Sequence, residues 1–506
     1  MSTLSRDDTS STAGSDAPRA TTSGPSTRRW RRRVSPVLLA LLLVATVEAL
    51  AWIVVLPPLE GPDEIGHFAY TERIVETGSI PWYHATPPKP GRATSTETYT
   101  AALYGGIVAE SRNLSARPPG SELSVDLWKR QSARTNHADR ADGGYTSAMS
   151  TPPLYYLYAG LPYLATYPLD FFDREFAMRL ANIPLLLAIV ALTWAIAGML
   201  LPRRSLQVLA TAAVALNPQL THLTAVVNPD VFLAAQWAAF FYLALLVVIR
   251  GPTRGRVAGI VALSVTSCLT HGRGVAILAP AVFVLAAAWW RWRRPGRRMA
   301  AAVLSVGGVA LLAVGYLVLR YATLGFLSAD SARRFGGYLW QFYLPKLWFM
   351  TPTLGPHWTS REVFIDRFYG TFAQLEVYFS PGVMTLLSRL TMAAIVLALV
   401  GLGVRLRSVR ARPTALLALA VFVIGAVAYI LDLHVASYRS LAAGTGDPVM
   451  TGRYLLPLIT IYGLGIALAV SWLPRRVAGV AGGIVLGGLA LLQLSAMGIL
   501  LERFYA

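Results

Sequence analysis

Eleven long apolar runs dictate what this chain can become. They lie near residues 36–56, 176–201, 205–225, 229–249, 256–271, 274–291, 299–320, 383–404, 413–433, 453–473 and 477–500. A run of about 20 apolar residues crosses a bilayer as a helix, because lipid offers its backbone polar groups no other partner. Composition agrees: of 506 residues, 55% are apolar and 14% charged, with mean hydropathy +0.50. A soluble enzyme is excluded, and the fold class expected is all-α, a polytopic membrane helix bundle of about 11–13 spans. The single cysteine, Cys268, falls inside a predicted span, which leaves no internal disulfide and no cysteine-based metal site.

The net charge of +19 would suggest nucleic acid if the basic residues shared one face. They do not. Alternate connections are rich in arginine and carry no acid: Arg203-Arg204; Arg250, Arg254 and Arg256; Arg291 to Arg298; Arg405 to Arg412; Arg475-Arg476. With the RRWRRR stretch at 28–33 these 21 arginines exceed the net charge. The positive-inside rule places them all in the cytoplasm, so the basic balance reports membrane orientation and no nucleic-acid partner. The first 27 residues are rich in Ser, Thr, Gly, Pro and Asp, and 1–35 reads as a disordered basic cytosolic tail. The run after it is too long for a signal-peptide core and is read as an uncleaved anchor. One segment breaks the parity: 152–167, PPLYYLYAGLPYLATY, is apolar but only 16 residues long. It is expected to be re-entrant or interfacial. The membrane domain then occupies 36–500, with large outer loops at about 57–152 and 322–382.

The stretch Leu56–Gly78, LPPLEGPDEIGHFAYTERIVETG, stands where the chain leaves the bilayer. Pro62 is expected at the first helical position, since its missing N–H costs nothing there. Asp63 and Glu64 then fall in the first turn, with His67 one turn on beside both carboxylates. Ile65, Phe68 and Ala69 form an apolar face expected to lie on the membrane surface, and Gly78 is the stop. Two acids in a first turn also simply suit the helix dipole. A carboxylate pair at a hydrocarbon boundary is costly, and that position makes it a candidate site.

Other candidates carry two readings each. Glu48 sits roughly 12 Å inside the first span at 1.5 Å per residue, either functional or hydrogen-bonded between helices. Asp432 and His434 lie near the outer end of another span. Asn217-Pro218 marks a turn. Asp230 lies one residue inside a helix beginning at Pro229, a dipole-suited position or a second site carboxylate. In 322–382, Arg333, Arg334, Lys346, His357, Arg361, Asp366 and Arg367 stand among many aromatics. The aromatics suit interface anchors, and the cations suit a lipid phosphate. Arg453, in TGRYLLP with Tyr454, either snorkels or neutralises an anionic ligand that Gly452 admits close to the backbone.

PDEIGHFAY after the first span, PPLYY after the first loop, NPD in the middle and GRYLLP late resemble, in order and spacing, the DUF2142 family of predicted membrane proteins. That family is similar in turn to the GT-C superfamily of membrane glycosyltransferases. The resemblance implies a multi-span enzyme using a polyprenyl-phosphate-linked sugar at the extracytoplasmic surface of a bacterial plasma membrane, with the N-terminus cytoplasmic. An acidic residue of the first outer loop, here Asp63 or Glu64, would serve as general base or position the acceptor, an envelope glycan, lipid or protein. Unlike large GT-C enzymes, this sequence shows no soluble carbohydrate-binding domain after the spans.

The chemistry suits these residues. A carboxylate takes the acceptor hydroxyl proton; Arg453, with Arg361 or Arg273, meets the charge developing on the departing phosphate; one displacement inverts the anomeric centre. His67 is expected to orient the carboxylate. Alternatively Asp63, Glu64 and His67 hold a divalent cation, Mg or Mn. Tyr155 and Tyr156 are expected to stack on sugar or lipid, with Asp230 and Tyr454 completing the binding residues. Two other readings compete: a transporter or flippase for a lipid-linked or polar substrate, motivated by Glu48, Asp432 and the re-entrant stretch 152–167, and a non-catalytic component of an envelope assembly.

Overall fold

A computed structural model of the protein describes residues 35–80, 95–104, 126, 128–131, 148, 151–291, 329–355, 358–410, 412–444 and 448–505. The tail, the predicted span 299–320 and His357 lie outside them. The described chain is all-α apart from one hairpin. Eight helical segments are long and apolar enough to cross a membrane: Pro36–Val55, Phe171–Leu200, Asp230–Arg250, Gly272–Arg291, Pro381–Val404, Pro413–Ala442, Gly452–Ser471 and Arg475–Tyr505. Each coincides with a predicted run. Two further runs are helical but differ in form. The run at 205–225 breaks into α-helices Arg204–Ala215 and Pro218–Thr224. Asn217 caps the second, accepting from the Leu220 N–H at 2.9 Å, so its turn reading holds. Arg254–Thr270 is 17 residues long, about 26 Å at 1.5 Å per residue and at the short limit for a span.

The first helix, α1 (Pro36–Val55), shows how spans are divided between lipid and core. Leu39, Leu43, Val47 and Val54 are exposed, while Ala45, Ala49 and Trp52 are buried. Exposed apolar side chains of this size suit hydrocarbon, and small residues four apart let neighbouring helices approach. Glu48 on the same helix accepts from Gln493 Nε2 at 3.0 Å, and that amide also donates to Thr221 at 2.6 Å. Its interhelical reading is the one the structure supports.

Above α1 lies an aromatic layer. α2 (Glu64–Thr77) ends at Gly78, whose φ of 62° closes the helix as predicted, its N–H donating to Ile74 O at 3.0 Å. The PPLYY segment forms a helix at Leu154–Ala165 of 12 residues, about 18 Å long and too short to span. It packs on α2 rather than crossing. Phe68, Tyr70 and Ile74 share a core with Tyr155, Tyr156, Tyr163 and Phe171; Phe68 and Phe171 rings lie 4.5 Å apart. The apolar face of α2 therefore meets protein, not the membrane surface. A two-stranded hairpin, Thr371–Phe372 with Val377–Tyr378, closes over Pro218–Thr224. Thr371 N–H donates to Gln219 and Ala373 N–H to buried His222, both at 3.3 Å, while Gln374 donates to Leu59 O at 2.9 Å.

Candidate functional site

The site grows from the turn before α2. Asp63 is not in the first helical turn behind an N1 proline. It is the residue flanking the helix, in left-handed conformation with φ 61°. Asp tolerates that region better than most residues, yet it is strained, and such strain clusters at functional sites. Its side chain does not cap the helix. Oδ2 instead accepts from Arg453 Nη2 at 2.5 Å, joining residues 390 apart in sequence. Asp63 is 49% exposed and Arg453 4%, so a half-open carboxylate stands in front of a buried guanidinium. Burial pushes the Asp63 carboxyl up, but Arg453, His67 and Arg273 together outweigh it and hold it below the usual carboxylate range.

Glu64 has a different post. It is fully buried and accepts from Arg179 Nε at 2.9 Å, Arg179 Nη2 at 2.7 Å, and the Gly61 and Val227 N–H groups at 2.8 Å each. Arg179 further donates to Leu56 O and Pro57 O and pairs with Glu175. With both oxygens engaged, Glu64 is a latch tying the turn to the second span. A side chain at Gly61 would meet Val226 at 2.3 Å and Glu64 at 2.7 Å, so glycine is what lets the latch close. Arg179 was not singled out from the sequence. An arginine entering an apolar run, EFAMRLANIPLLL, is the signal that points to it.

His67 is buried, with Nδ1 2.8 Å from Tyr156 OH. Burial lowers its pKa to about 4 despite the nearby Asp63, leaving a neutral imidazole at pH 7. Tyr156 stacks on Tyr70 at 3.7 Å, and Tyr155 and Tyr156 are both fully buried. Their rings serve the protein's own core and are closed to a sugar, a correction to the expected stacking role. As a cation cradle the Asp63, Glu64 and His67 set does not fit. Glu64 is saturated, His67 is turned to Tyr156, and the third ligand already faces a guanidinium that repels a metal ion. No group of three metal-ligating side chains converges among the described residues.

On the far side, Asp230 opens helix Asp230–Arg250, its N–H donating to Asn228 Oδ1 at 2.8 Å. Arg273 Nη2 donates to Asp230 Oδ1 at 2.7 Å, and His271 Nδ1 accepts from Arg273 Nε at 3.2 Å. The Arg273 guanidinium lies 3.8 Å from the Tyr454 ring centroid, and that of Arg453 lies 5.2 Å from the same ring. Tyr454 thus links two opposite-charge pairs, Asp63–Arg453 and Asp230–Arg273, a contact worth on the order of 2 kcal/mol when desolvated. Arg453 Nε and Nη1 are buried and without a hydrogen-bond partner. Gly452 admits protein backbone, not a ligand: a Cβ there would lie 2.3 Å from Phe368 N and 2.8 Å from Phe364 O. Arg361, on the turn Arg361–Asp366, is exposed and donates to Thr385 at 3.4 Å, so the structure does not bring it into this cluster. His434 is used structurally, between Tyr338 OH at 3.0 Å and Tyr343 OH at 2.7 Å.

Among solved structures, the chain is similar to ArnT from Cupriavidus metallidurans bound to undecaprenyl phosphate. Identity is 15% and the TM-score 0.41, over 92% of this chain and 64% of that one. It is similar also to the archaeal oligosaccharyltransferase AglB from Archaeoglobus fulgidus, in complex with an inhibitory peptide and a dolichol-phosphate. There identity is 12% and the TM-score 0.43, over 92% of this chain and 55% of that one. The chain thus spans between about half and two-thirds of the length of these structures. No curated protein matches it. The profile of a family described as predicted membrane protein matches residues 48–462, a span that takes in the acidic helix, PPLYY, NPD and GRYLLP. The chain belongs to the DUF2142 family of predicted membrane proteins.

Proposed function

We propose that this protein is an inverting membrane glycosyltransferase that moves a sugar from a polyprenyl-phosphate donor to an envelope acceptor at the extracytoplasmic face. One observation carries the reading: a half-exposed Asp63 paired at 2.5 Å with a buried Arg453 whose Nε and Nη1 have no partner. A buried guanidinium with unspent donors is costly to maintain, and an anionic ligand offsets that cost. The phosphate of the donor takes Arg453, with Arg273 beside it, and the Asp63 carboxylate is released toward the acceptor. The acceptor oxygen then attacks the anomeric carbon and its proton passes to Asp63. The bond to phosphate breaks, and polyprenyl phosphate leaves with its charge met by the two arginines. A single displacement inverts the anomeric centre. Asp63 alone is assigned the base role; Glu64 holds the turn that aims it, and no step runs through a metal. The transporter reading loses its motive at Glu48, which Gln493 engages.

The test is Asp63→Asn beside Glu64→Gln in a knockout background, with envelope glycans and polyprenyl-sugar turnover measured. Asp63→Asn is expected to lower the melting temperature in detergent by less than Glu64→Gln does, because Asp63 is half exposed and asparagine suits its left-handed backbone, and to lose transfer by at least 100-fold. Glu64→Gln is expected to lower the melting temperature, since it weakens a buried pair. A wild-type glycan profile from Asp63→Asn would end the assignment.

A further inference from the structure

Away from the two ion pairs, residues within 341–355 and 358–360 line an open groove of about 520 Å³, within the roughly 300–1,000 Å³ of small-ligand sites. Phe342 and Tyr343, at the end of helix Ala329–Tyr343, and Trp358 supply its aromatic lining. Gln341, Lys346 and Thr359 add polar groups to the lining. The rings are braced from outside. Tyr343 OH pairs with His434 Nε2 at 2.7 Å, Phe342 packs on Phe364 at 5.3 Å, and the Arg367 guanidinium lies 5.1 Å from the Trp358 ring centroid. Gln341 holds the loop in shape, donating to Thr351 O at 2.9 Å and accepting from Thr353 N–H at 3.0 Å. Such a lining is pre-organised, which lowers the entropic cost of binding.

The mixture of groups selects the ligand. An acyl chain would want walls without polar groups, and a polyphosphate would want several cations where this groove has one lysine. Lys346 donates to Met350 O at 3.2 Å and the Thr359 hydroxyl to Glu362, so the ammonium keeps two N–H donors and the Gln341 amide one. Rigid aromatic rings beside these donors suit a pyranose, whose C–H face is apolar and whose rim is hydroxyl. The position is apt as well. Arg367, which braces Trp358, also donates to Met450 O at 3.4 Å, just ahead of the Gly452-Arg453 turn. We infer that this groove binds the saccharide portion of the acceptor and presents it to Asp63. The inference rests on the glycosyltransferase reading, and its test does not depend on turnover.

Full-length protein in lipid nanodiscs is titrated with a panel of defined trisaccharides (α- and β-linked glucans, mannans and galactans), with binding followed by saturation-transfer NMR. At least one is expected to bind wild type and Asp63→Asn alike. Trp358→Ala is expected to weaken it tenfold or more, Trp358→Phe to recover most of the loss, and Lys346→Met, at an exposed position, to weaken it about threefold. Absence of binding by every sugar overturns the inference, as does wild-type affinity in both Trp358→Ala and Lys346→Met. Binding that follows this pattern, with no product from any donor, leaves the groove assigned and removes the enzymatic reading instead.

Discussion

At the scale of single residues, two neighbours, Asp63 and Glu64, divide one sequence signal between them. Both are acids beside a helix start, but one faces a half-open space and the other a guanidinium and two N–H groups. His67 adds a pH dependence with a definite sign. Its folded pKa is depressed to about 4 from an ordinary value near 6.5, so the unfolded chain binds the extra proton first. The stability it contributes is complete above pH 6.5 and is lost as pH falls from there toward 4, on the order of 3 kcal/mol in all. The melting temperature in detergent should therefore fall over that window, and His67→Gln should flatten the fall. An unchanged slope in the variant would show that another group sets it. Asp63 has the lowered carboxyl pKa, and its ionised form is the active one. The acid limb of kcat/KM, which reports the free enzyme, should lie below the ordinary aspartate range. If Arg453 transfers to the donor phosphate, the limb of kcat should sit higher, because burial then acts on Asp63 with less opposition. Coincident limbs in the two profiles would count against the exchange.

At the scale of elements, the site depends on close backbone contacts that glycine permits. The turn Gly452–Leu458 lies against the backbone of Arg367 and Phe368, and that contact seats Arg453 behind Asp63. Gly452→Ala should cost about 3 kcal/mol or more, because the colliding atoms are backbone and cannot step aside. Gly465→Ala, in helix Ile459–Ser471 where nothing lies within 4 Å of the added carbon, should be neutral or slightly stabilising. Melting curves of the two variants decide this, and equal melting temperatures would refute the packing account. The same scale explains why the PPLYY tyrosines are not a sugar platform: a 12-residue helix lying on α2 must bury one face, and its tyrosines are on it.

At the scale of the whole molecule, the arginine-bearing connections should face one side of the membrane and the acidic helix the other. With Cys268 replaced by Ser, a cysteine at Thr351 should react with a membrane-impermeant maleimide in intact cells, and one at Arg475 only after lysis. Both positions are exposed. Reversed labelling would invert the orientation and move the proposed site to the cytoplasmic side. Glu48→Gln should leave transfer within about twofold of wild type, since its partner amide is kept close by Thr221 and a neutral amide replaces a carboxylate in a low-dielectric setting.

The amino-acid sequence by itself determined the class of molecule, the position of most spans, the stop at Gly78 and the turn at Asn217, and it singled out Asp63, Asp230, Arg273 and Arg453 as candidates. Those follow from local hydropathy, from dihedral preferences and from the cost of charge near lipid, all readable over short windows. Only the tertiary structure decided which acid is half open and which is latched, that Arg179 is the latch, that Arg361 stands apart, and that Tyr155 and Tyr156 are core. The physical reason is that the pairings of Asp63, Glu64 and Tyr156 join residues more than 80 positions apart, and no local window carries the identity of a distant partner.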